Sequence, residues 1–410
     1  MEKLLLKAPD YPLRGSIQLP GSKSISNRVL IMRALANADT TIHNLSISDD
    51  TVILNKLLNQ QGSEYNAGHA GTSYRFSTAF FAVRDGEQIL TGSERMLQRP
   101  IGPLVEALRS IGADITYLAK EDYPPLKIGP FKHQINQEVE IDSSMSSQYI
   151  SALCMIAPIL PLGLKIILKG RTVSRPYLDM TLTLMRQFGV EVAEERDIIS
   201  IAPQAYQFTD FTVESDWSAA SYYYSLVSIS KGSQIELSTL YKDSLQGDSD
   251  IAMLAMPFGV SSNFNDGVVT LKPTDSFNDR IDIDCLKVPD IAQTLAVMAA
   301  MKGIHLTLRN LNTLIIKETD RIKALQNELG KCKVEFECVE AYDYVVKGVV
   351  KRADRKLQFK TYDDHRMAMA FAPMALTNDI IIEDPKVVSK SYPGFWQDLE
   401  SLGFILEWMK

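Results

Sequence analysis

Several short segments of this chain place cations, hydroxyls or carboxylates at the predicted start of an apolar helix. The first is Gly21-Ser22-Lys23-Ser24, where a strand passes through a Pro-Gly turn into a helix. Free N–H groups at a helix start attract anions, and Lys23 and Arg28 add positive charge there. Taken by itself, the segment is equally typical of an ordinary capped helix. It is not a Walker A loop, because Ser22 separates Gly21 from Lys23.

Hydroxyls, an amide and arginines recur near further helix starts in the first half of the chain. They are Ala70-Gly71-Thr72, Arg95 and Arg99 before Pro100, Ser146-Ser147-Gln148, and Ser174-Arg175-Pro176. In most proteins such groups cap helices or lie on a solvated surface. Hydroxyls and amides at a helix start can also bind a phosphate or a polyol, and a glycine lets a ligand approach the backbone. Each of these segments, taken alone, favours the structural interpretation.

The second half of the chain carries the candidates for proton transfer. Asp290 heads a nearly all-apolar helix, either as its N-cap or as a catalytic carboxylate at a helix start. A dense group of acids and bases follows at residues 317–321. It is either a charged first helical turn or a site where Glu318 transfers protons while Lys317 and Arg321 bind an anion.

Two cationic segments near the C-terminus complete the set, and neither is typical of a metal site. Asp364-His365-Arg366 opens another apolar helix, and Lys390 stands in a turn. A metal site needs more ligands than these segments offer. The chain has only 5 His, 4 Cys and no CxxC pair, so neither a zinc site nor a disulfide framework is expected.

The overall charge argues against polyanionic partners. Lys and Arg together number 43 and Asp and Glu number 50, which gives a formal net charge of -7. Nucleic acids and anionic membranes select basic surfaces, so neither is expected as a partner. No apolar stretch reaches transmembrane length, and the N-terminus does not have the pattern of a signal peptide. We therefore expect a cytoplasmic protein that concentrates its cations locally.

A polar turn followed by an apolar helix occurs six times along the chain. After a first gap of about 48 residues, the occurrences lie about 71 to 76 residues apart. A second series supports the first, because each motif is followed by an amphipathic helix that ends at a glycine. These glycines are Gly62, Gly112, Gly189, Gly259, Gly330 and Gly403. Short β-rich runs lie between the helices, so the repeat predicts an α/β protein with buried central helices and sheets outside them.

The repeat count also predicts the domain boundaries. Six units divide into two domains of three, and the strand segment of residues 1–20 is expected to return and join the second half. One domain is then formed by residues 1–20 with 213–410, and the other by residues 21–212. Short hinges are expected near Pro20 and Val213.

In order and content these segments resemble the 5-enolpyruvylshikimate-3-phosphate (EPSP) synthases, a family of enolpyruvyl transferases. The matching motifs span almost the whole chain and are Pro20-Gly21-Ser22-Lys23-Ser24, Ala70-Gly71-Thr72, Arg99-Pro100, Ser146-Ser147-Gln148, Gln246-Gly247-Asp248, residues 317–321, residues 364–369 and Lys390. The resemblance implies a two-domain inside-out α/β barrel with six βαβαββ repeats, three per domain. It also implies an active site in the interdomain cleft.

The resemblance further implies the reaction. The enolpyruvyl group of phosphoenolpyruvate is transferred to the 5-hydroxyl of shikimate 3-phosphate, which gives EPSP and phosphate on the shikimate pathway to chorismate and the aromatic amino acids. No metal or organic cofactor is implied, and a monomer is expected. Both substrates are phosphorylated carboxylates, which gives a physical reason for the cationic segments.

Family positions imply a role for each candidate residue. Phosphoenolpyruvate would be held by Lys23, Gly71, Arg99, Gln148, Arg321, Arg366 and Lys390. Shikimate 3-phosphate would be held by Lys23, Ser24, Arg28, Ser146, Ser147, Gln148, Ser174, Asp290 and Lys317. The catalytic candidates are Asp290, placed near the 5-hydroxyl, and Glu318, which Lys23 assists in proton transfer at C3 of phosphoenolpyruvate.

Two positions depart from the family pattern. His69 stands where the family usually has Asn, and Thr313 where many members have Asn or Arg. Imidazole titrates near neutral pH, so His69 beside bound phosphates is expected to add pH dependence. Gly71 leaves room for glyphosate, and inhibition competitive with phosphoenolpyruvate is therefore expected.

Two other interpretations fit the same fold. One is a UDP-N-acetylglucosamine enolpyruvyl transferase, whose usual catalytic cysteine lies in a mobile loop. None of Cys154, Cys285, Cys332 and Cys338 is predicted to lie in such a loop. The other is a catalytically inactive binding protein, and the presence of Asp290, Glu318 and Lys23 disfavours it.

Overall fold

The computed structural model describes residues 2–170, 175–353 and 356–409. The chain divides into two compact units, which we call the split unit (Met1–Pro20 with Glu214–Lys410) and the middle unit (Gly21–Val213). The chain enters the middle unit after Pro20 and returns to the split unit after Val213.

The described residues form the following strands and helices. The strands are β1 (Lys3–Lys7), β2 (Arg14–Ile17), β3 (Ile42–His43), β4 (Glu64–Asn66), β5 (Gln88–Thr91), β6 (Ile115–Tyr117), β7 (Leu126–Ile128), β8 (Glu138–Asp142), β9 (Leu164–Lys169), β10 (Ala193–Glu195), β11 (Ile198–Ile201), β12 (Phe211–Thr212), β13 (Gln234–Ser238), β14 (Val260–Asn265), β15 (Val268–Pro273), β16 (Arg280–Asp284), β17 (His305–Arg309), β18 (Glu335–Glu340), β19 (Asp343–Lys347), β20 (Leu357–Phe359), β21 (Ile380–Glu383) and β22 (Ile405–Met409). The α-helices are α1 (Lys23–Ala36), α2 (Asp49–Asn59), α3 (Gly71–Phe81), α4 (Gly102–Ser110), α5 (Ser147–Ile156), α6 (Arg175–Gln187), α7 (Trp217–Ile229), α8 (Ile251–Leu254), α9 (Ala292–Lys302), α10 (Arg321–Gly330), α11 (His365–Phe371) and α12 (Phe395–Ser401).

The split unit contains three four-stranded sheets of one design. In the sheet β16-β17-β19-β18, the first two strands are parallel, and β19 pairs antiparallel with both β17 and β18. With α9 and α10 between these strands, the order along the chain is βαβαββ. The N-terminal strands complete the other two sheets, because β1 lies between β21 and β22 and β2 pairs in parallel with β13.

The middle unit contains two sheets of the same design and one short ladder. The sheets are β4-β5-β7-β6 and β8-β9-β11-β10, and the ladder joins β3 and β12 in parallel. The short ladder belongs to the first of the six repeats, which is separated from the second by the short gap of about 48 residues. The predicted α/β fold of six repeats is confirmed, with two strands in this first repeat where the others have four.

Helix α9 is enclosed by protein on all sides. Every residue of α9 from Ala292 to Met301 is buried, and only Lys302 at its end is partly exposed. An apolar surface all round a helix is typical of such a position. The helix ends at Gly303, whose φ of 72° is the left-handed conformation that stops helices.

The glycine series of the sequence has the expected backbone conformation at five of its six positions. Gly62, Gly112, Gly189, Gly259 and Gly403 have positive φ angles. Gly330 differs, because it is the last residue of α10. Residue 21 requires glycine for another reason, since a side chain there would overlap the backbone carbonyl of Asn44.

Candidate active site

In the middle unit, Lys23 opens α1 and faces a carboxylate on α2. Its Nζ lies 3.6 Å from Oδ2 of Asp50, and both side chains are largely buried. The backbone carbonyl of Asp50 accepts a hydrogen bond from Ser73 Oγ at 2.6 Å, which ties α2 to α3. Lys23 is therefore a cation at a helix start whose position is set by two neighbouring helices.

Arg99 lies directly against the start of α3. A Cβ built at Gly71 would be 2.7 Å from Cζ of the Arg99 side chain. Gly71 is the first residue of α3, where free backbone N–H groups favour anions. This contact brings together two of the residues that the family resemblance assigns to phosphoenolpyruvate.

The amide of Gln148 has a fixed orientation in the first turn of α5. Its Oε1 accepts a hydrogen bond from Nη1 of Arg75 at 2.8 Å, and its Nε2 donates to Oγ1 of Thr72 at 2.9 Å. A guanidinium can only donate, so Oε1 must face Arg75. The amide nitrogen then keeps a second hydrogen that can be donated to an anionic ligand.

Arg75 also holds the turn that carries Arg99. Its guanidinium lies 5.3 Å from the ring centroid of Tyr149 and donates to the carbonyl of Pro100 at 3.4 Å. The hydroxyl of Tyr149 donates to the same carbonyl at 2.6 Å. Sequence reasoning gave Arg75 no role, although its place one helical turn after Gly71 is a usable signal.

The remaining shikimate 3-phosphate candidates of the middle unit have different surroundings. Ser24 is the second residue of α1, and its carbonyl accepts from Nη1 of Arg28 at 2.9 Å. Ser146 caps α5 and accepts from the backbone N–H of Gln148 at 3.3 Å, and Ser147 beside it is buried. Ser174 lies outside the described residues.

Arg28 is buried, and much of its guanidinium is engaged by protein acceptors. Nε donates to Thr181 Oγ1 at 2.6 Å, and Nη2 donates to the carbonyl of Tyr177 at 3.0 Å and to Ser151 Oγ at 3.3 Å. Burial lowers the pKa of Arg28 to about 10, partly opposed by Tyr177. Arg28 therefore carries a positive charge beneath Ser24 at neutral pH, and these bonds fix its position.

In the split unit, three carboxylates converge on the buried guanidinium of Arg321. Nε lies 2.8 Å from Asp364, Nη1 lies 3.1 Å from Asp290, and Nη2 lies 2.7 Å from Glu318. Burial by itself lowers the pKa of Arg321, but the negative charges of Asp364, Glu318 and Asp290 together raise it above its ordinary value. The cation is thus permanent, and it links the two predicted acid–base residues.

Asp290 also forms ion pairs with two further cations. Nη2 of Arg366 lies 3.2 Å from its Oδ2, and Nζ of Lys317 lies 3.6 Å from its Oδ1. Nη1 of Arg366 also donates to the backbone carbonyl of Asp290 at 2.9 Å. Lys390 pairs with Asp363, with Nζ 2.6 Å from Oδ1.

Local backbone structure excludes an N-cap role for Asp290 and a first helical turn at Lys317 and Glu318. Asp290 is not an N-cap, because it lies inside the 3₁₀ turn Pro289–Ile291 and α9 begins at Ala292. Lys317 and Glu318 do not form a first helical turn, because α10 begins at Arg321. Its N-cap is Asp320, which accepts from Lys323 N–H at 3.1 Å. Both acid–base candidates are thus held by side-chain contacts outside the regular helices.

Asp248 is a buried carboxyl to which sequence reasoning gave no role. It accepts a hydrogen bond from Ser218 Oγ in the first turn of α7. Burial, and after it the charge of Asp290, raise the pKa of Asp248, while Arg366 and Ser218 oppose them, and the net pKa is about 7. The motif Gln246-Gly247-Asp248 was visible in the sequence, but the burial that makes its carboxyl able to titrate near neutral pH was not.

The comparisons with known proteins agree with one another. A protein-family model described as EPSP synthase (3-phosphoshikimate 1-carboxyvinyltransferase) matches residues 7–66 and 54–399. A 3-phosphoshikimate 1-carboxyvinyltransferase of Bacteroides fragilis is 43% identical over 406 residues, covering 98% of each chain. The protein of that name from Photobacterium profundum is 40% identical over 434 residues, covering 98% of this chain and 99% of the relative.

The chain belongs to the EPSP synthase family. The resemblance inferred from the order of the motifs is therefore confirmed. The fold agrees as well, because a solved EPSP synthase from Acinetobacter baumannii superposes with a TM-score of 0.81 over 100% of both chains at 18% identity.

The described residues contain no group of three or more His, Cys, Asp or Glu side chains able to hold a metal ion. None of the helices that the structure describes combines the length and apolar character needed to cross a membrane.

Proposed function

We propose that this chain transfers the carboxyvinyl (enolpyruvyl) group of phosphoenolpyruvate to the 5-hydroxyl of shikimate 3-phosphate. The observation that carries the proposal is near-full-length similarity to relatives named 3-phosphoshikimate 1-carboxyvinyltransferase, at 43% and 40% identity. The family resemblance implies acid–base roles for Asp290 and Glu318 and anion-binding roles for the cationic segments of this chain. The products are EPSP and inorganic phosphate, and the reaction needs neither a metal nor an organic cofactor.

Two clusters of charged residues support binding of the two phosphorylated carboxylates. In the middle unit, Lys23 and Arg99 lie at the starts of α1 and α3. In the split unit, Lys317, Arg321 and Arg366 surround Asp290. Charge-assisted hydrogen bonds to phosphate and carboxylate oxygens are the strong kind, and arginine forks match both groups.

The chemistry is an addition followed by an elimination. The 5-hydroxyl oxygen forms a bond to C2 of phosphoenolpyruvate and loses its proton, while C3 gains a proton and becomes a methyl group. C3 then loses a proton as the bond from C2 to the phosphate oxygen breaks and phosphate leaves. We assign the hydroxyl proton to Asp290 and the C3 protons to Glu318, with Lys23 assisting. Arg321 binds both carboxylates and so holds the two proposed acid–base groups at a fixed separation.

A phosphate-release assay with both substrates tests the proposal. We expect release that requires phosphoenolpyruvate and shikimate 3-phosphate together, and a product in which a carboxyvinyl group replaces the hydrogen of the 5-hydroxyl of shikimate 3-phosphate. Release with UDP-N-acetylglucosamine in place of shikimate 3-phosphate would support the related transferase instead. Binding of both substrates without release would support an inactive binding protein.

Glyphosate gives a second test of the same site. We expect inhibition competitive with phosphoenolpyruvate, because Gly71 adds no side chain beside the guanidinium of Arg99. Full activity at millimolar glyphosate would contradict this. We also propose that the protein is a cytoplasmic monomer, and sedimentation equilibrium of the purified chain checks the oligomeric state.

A further inference from the structure

Glu214 is a buried carboxylate that occupies all of its hydrogen-bonding capacity. Its Oε1 accepts from the indole Nε1 of Trp217 at 2.9 Å and from the backbone N–H of Tyr241 at 3.1 Å. Its Oε2 accepts from Ser244 Oγ at 2.6 Å and from Nε2 of Gln246 at 2.9 Å. Four donors fill the lone-pair positions of one carboxylate, and the described residues supply no cation to it. Burying a carboxylate costs desolvation free energy, and hydrogen bonds that hold other parts of the chain in place give a reason to retain it.

Gln246 extends this network to the turn that carries Asp248. Its Nε2 donates to the carbonyl of Ser215 at 2.8 Å as well as to Glu214, and its Oε1 accepts from the backbone N–H of Trp217 at 3.1 Å. Because Glu214 can only accept, it fixes which way this amide points. Gln246 immediately precedes the 3₁₀ turn Gly247–Asp250, so the orientation of its amide sets the position of that turn.

The same carboxylate holds the start of α7, where the partner of Asp248 lies. Trp217 is the first residue of α7 and reaches Glu214 through its indole and Gln246 through its backbone. Ser218, the next residue, donates its hydroxyl hydrogen to Asp248. Ser218 is therefore linked to Glu214 through its neighbour Trp217, and Asp248 is linked to Glu214 through Gln246 at the start of its turn.

We propose that Glu214 is a positioning residue that holds the Gln246–Asp248 turn against the start of α7, and so fixes the Asp248 carboxyl near Asp290. Neither the sequence motifs nor the family resemblance gave Glu214 a role. The charged and titratable groups that act on Asp248 are Asp290, Arg366, Asp216 and Cys285, together with the Ser218 hydroxyl. Burial is the largest cause of the raised pKa of Asp248. Loosening the turn would admit water and so lower this pKa.

The test uses Glu214→Gln, which keeps the size of the side chain. In Glu214→Gln, the amide nitrogen takes the place of either Oε1 or Oε2, and each of these oxygens now accepts hydrogen bonds. At least one contact would then place two donor groups against each other. Glu328→Gln is the control, because Glu328 is a fully buried carboxylate of the same unit that pairs with Lys331 and accepts from Tyr362 Oη at 2.7 Å, and it is not among the groups that shift the pKa of Asp248. Trp217→Phe is a milder second variant, since it removes one indole donor and keeps an aromatic ring.

Two measurements follow each variant. Carbon-13 NMR of labelled aspartate, assigned with Asp248→Asn, gives the titration midpoint of Asp248 without substrates. We expect Glu214→Gln to lower it by about 1 pH unit or more, Trp217→Phe to lower it by less, and Glu328→Gln to leave it unchanged. Steady-state kinetics should show kcat about 10- to 100-fold lower in Glu214→Gln, with both KM values within about threefold of the parent.

The result that overturns the proposal is an unchanged Asp248 midpoint in folded Glu214→Gln, or in Trp217→Phe if the first variant does not fold. A shift of equal size in Glu328→Gln would overturn it too, because the effect would then be a general loosening of the unit. Only the kcat arm rests on the proposed function. The NMR arm needs no substrate, so failure of the enolpyruvyl transfer assay and failure of this proposal are distinguishable.

Discussion

The guanidinium of Arg99 lies where a side chain of residue 71 would have to begin. A Cβ at Gly71 would be 2.7 Å from Cζ and 2.9 Å from Nη2 of Arg99. Favourable contacts between carbon atoms begin near about 3.5 Å, so both distances are deep inside the repulsive range. Arg99 can keep this position only while residue 71 is glycine.

Gly71→Ala should therefore displace Arg99 and weaken phosphoenolpyruvate binding. Losing a hydrogen bond to a charged group costs about 1.5 to 3 kcal/mol, so we expect KM for phosphoenolpyruvate to rise about 10- to 100-fold. KM for shikimate 3-phosphate should change much less. Gly330→Ala is the control in steady-state kinetics, because a Cβ there would meet nothing within 4 Å. Equal KM values in the parent and Gly71→Ala would show that Arg99 does not hold phosphoenolpyruvate.

Asp290 and Glu318 should be needed for turnover more than for binding. Asp290→Asn and Glu318→Gln keep the size of each side chain and remove the group that exchanges protons. We expect each to lower kcat by about 10²-fold or more while both substrates still bind, as calorimetry can show. Asp282→Asn serves as the control, because Asp282 pairs with Arg309 on the exposed side of β16. Near-normal turnover in either variant would remove that residue from the mechanism.

For the split unit, the sequence indicated candidate residues but not the contacts between them. Asp290, Glu318 and Arg321 were all candidates, and the structure joins them through one guanidinium. Which carboxylate pairs with which cation depends on how α9 and α10 pack, and no local pattern encodes that. The N-cap alternative for Asp290 failed for a related reason, because Pro289 and Asp290 form a 3₁₀ turn that ends before α9.

Periodicity made the fold predictable, while buried polar networks stayed hidden. A repeated motif and a repeated glycine give two independent measures of one unit, so six repeats could be counted without tertiary information. Asp248, Glu214 and Arg75 each look like surface residues in the sequence. Their burial results from packing between elements that are distant along the chain, which a sequence pattern cannot report.

His69 should make phosphoenolpyruvate binding depend on pH. Its Nε2 lies 3.8 Å from Oδ2 of Asp49, at the start of α2 and close in sequence to the Lys23 partner Asp50. A positively charged imidazole would attract an anion, and an amide cannot carry that charge. We expect KM for phosphoenolpyruvate to depend on pH differently in the parent and in His69→Asn. His43→Asn, at an exposed position of β3, is the control. Superimposable KM profiles of the parent and His69→Asn would refute the role.

Asp248 should make the folded state less stable as pH rises. Its pKa is about 7 in the folded protein against an ordinary value of 3.8, so between these values the folded state binds more protons than the unfolded state. Stability then falls as pH increases through this window, by about 1.4 kcal/mol per pH unit at most. Asp248→Asn removes the charge, and it should raise the midpoint of thermal unfolding more at about pH 8 than at about pH 5. Asp282→Asn should behave differently, because Arg309 lowers the pKa of Asp282 and removing that carboxylate gives no such gain at the higher pH. An equal effect of Asp248→Asn at both pH values would mean that Asp248 does not titrate in this range.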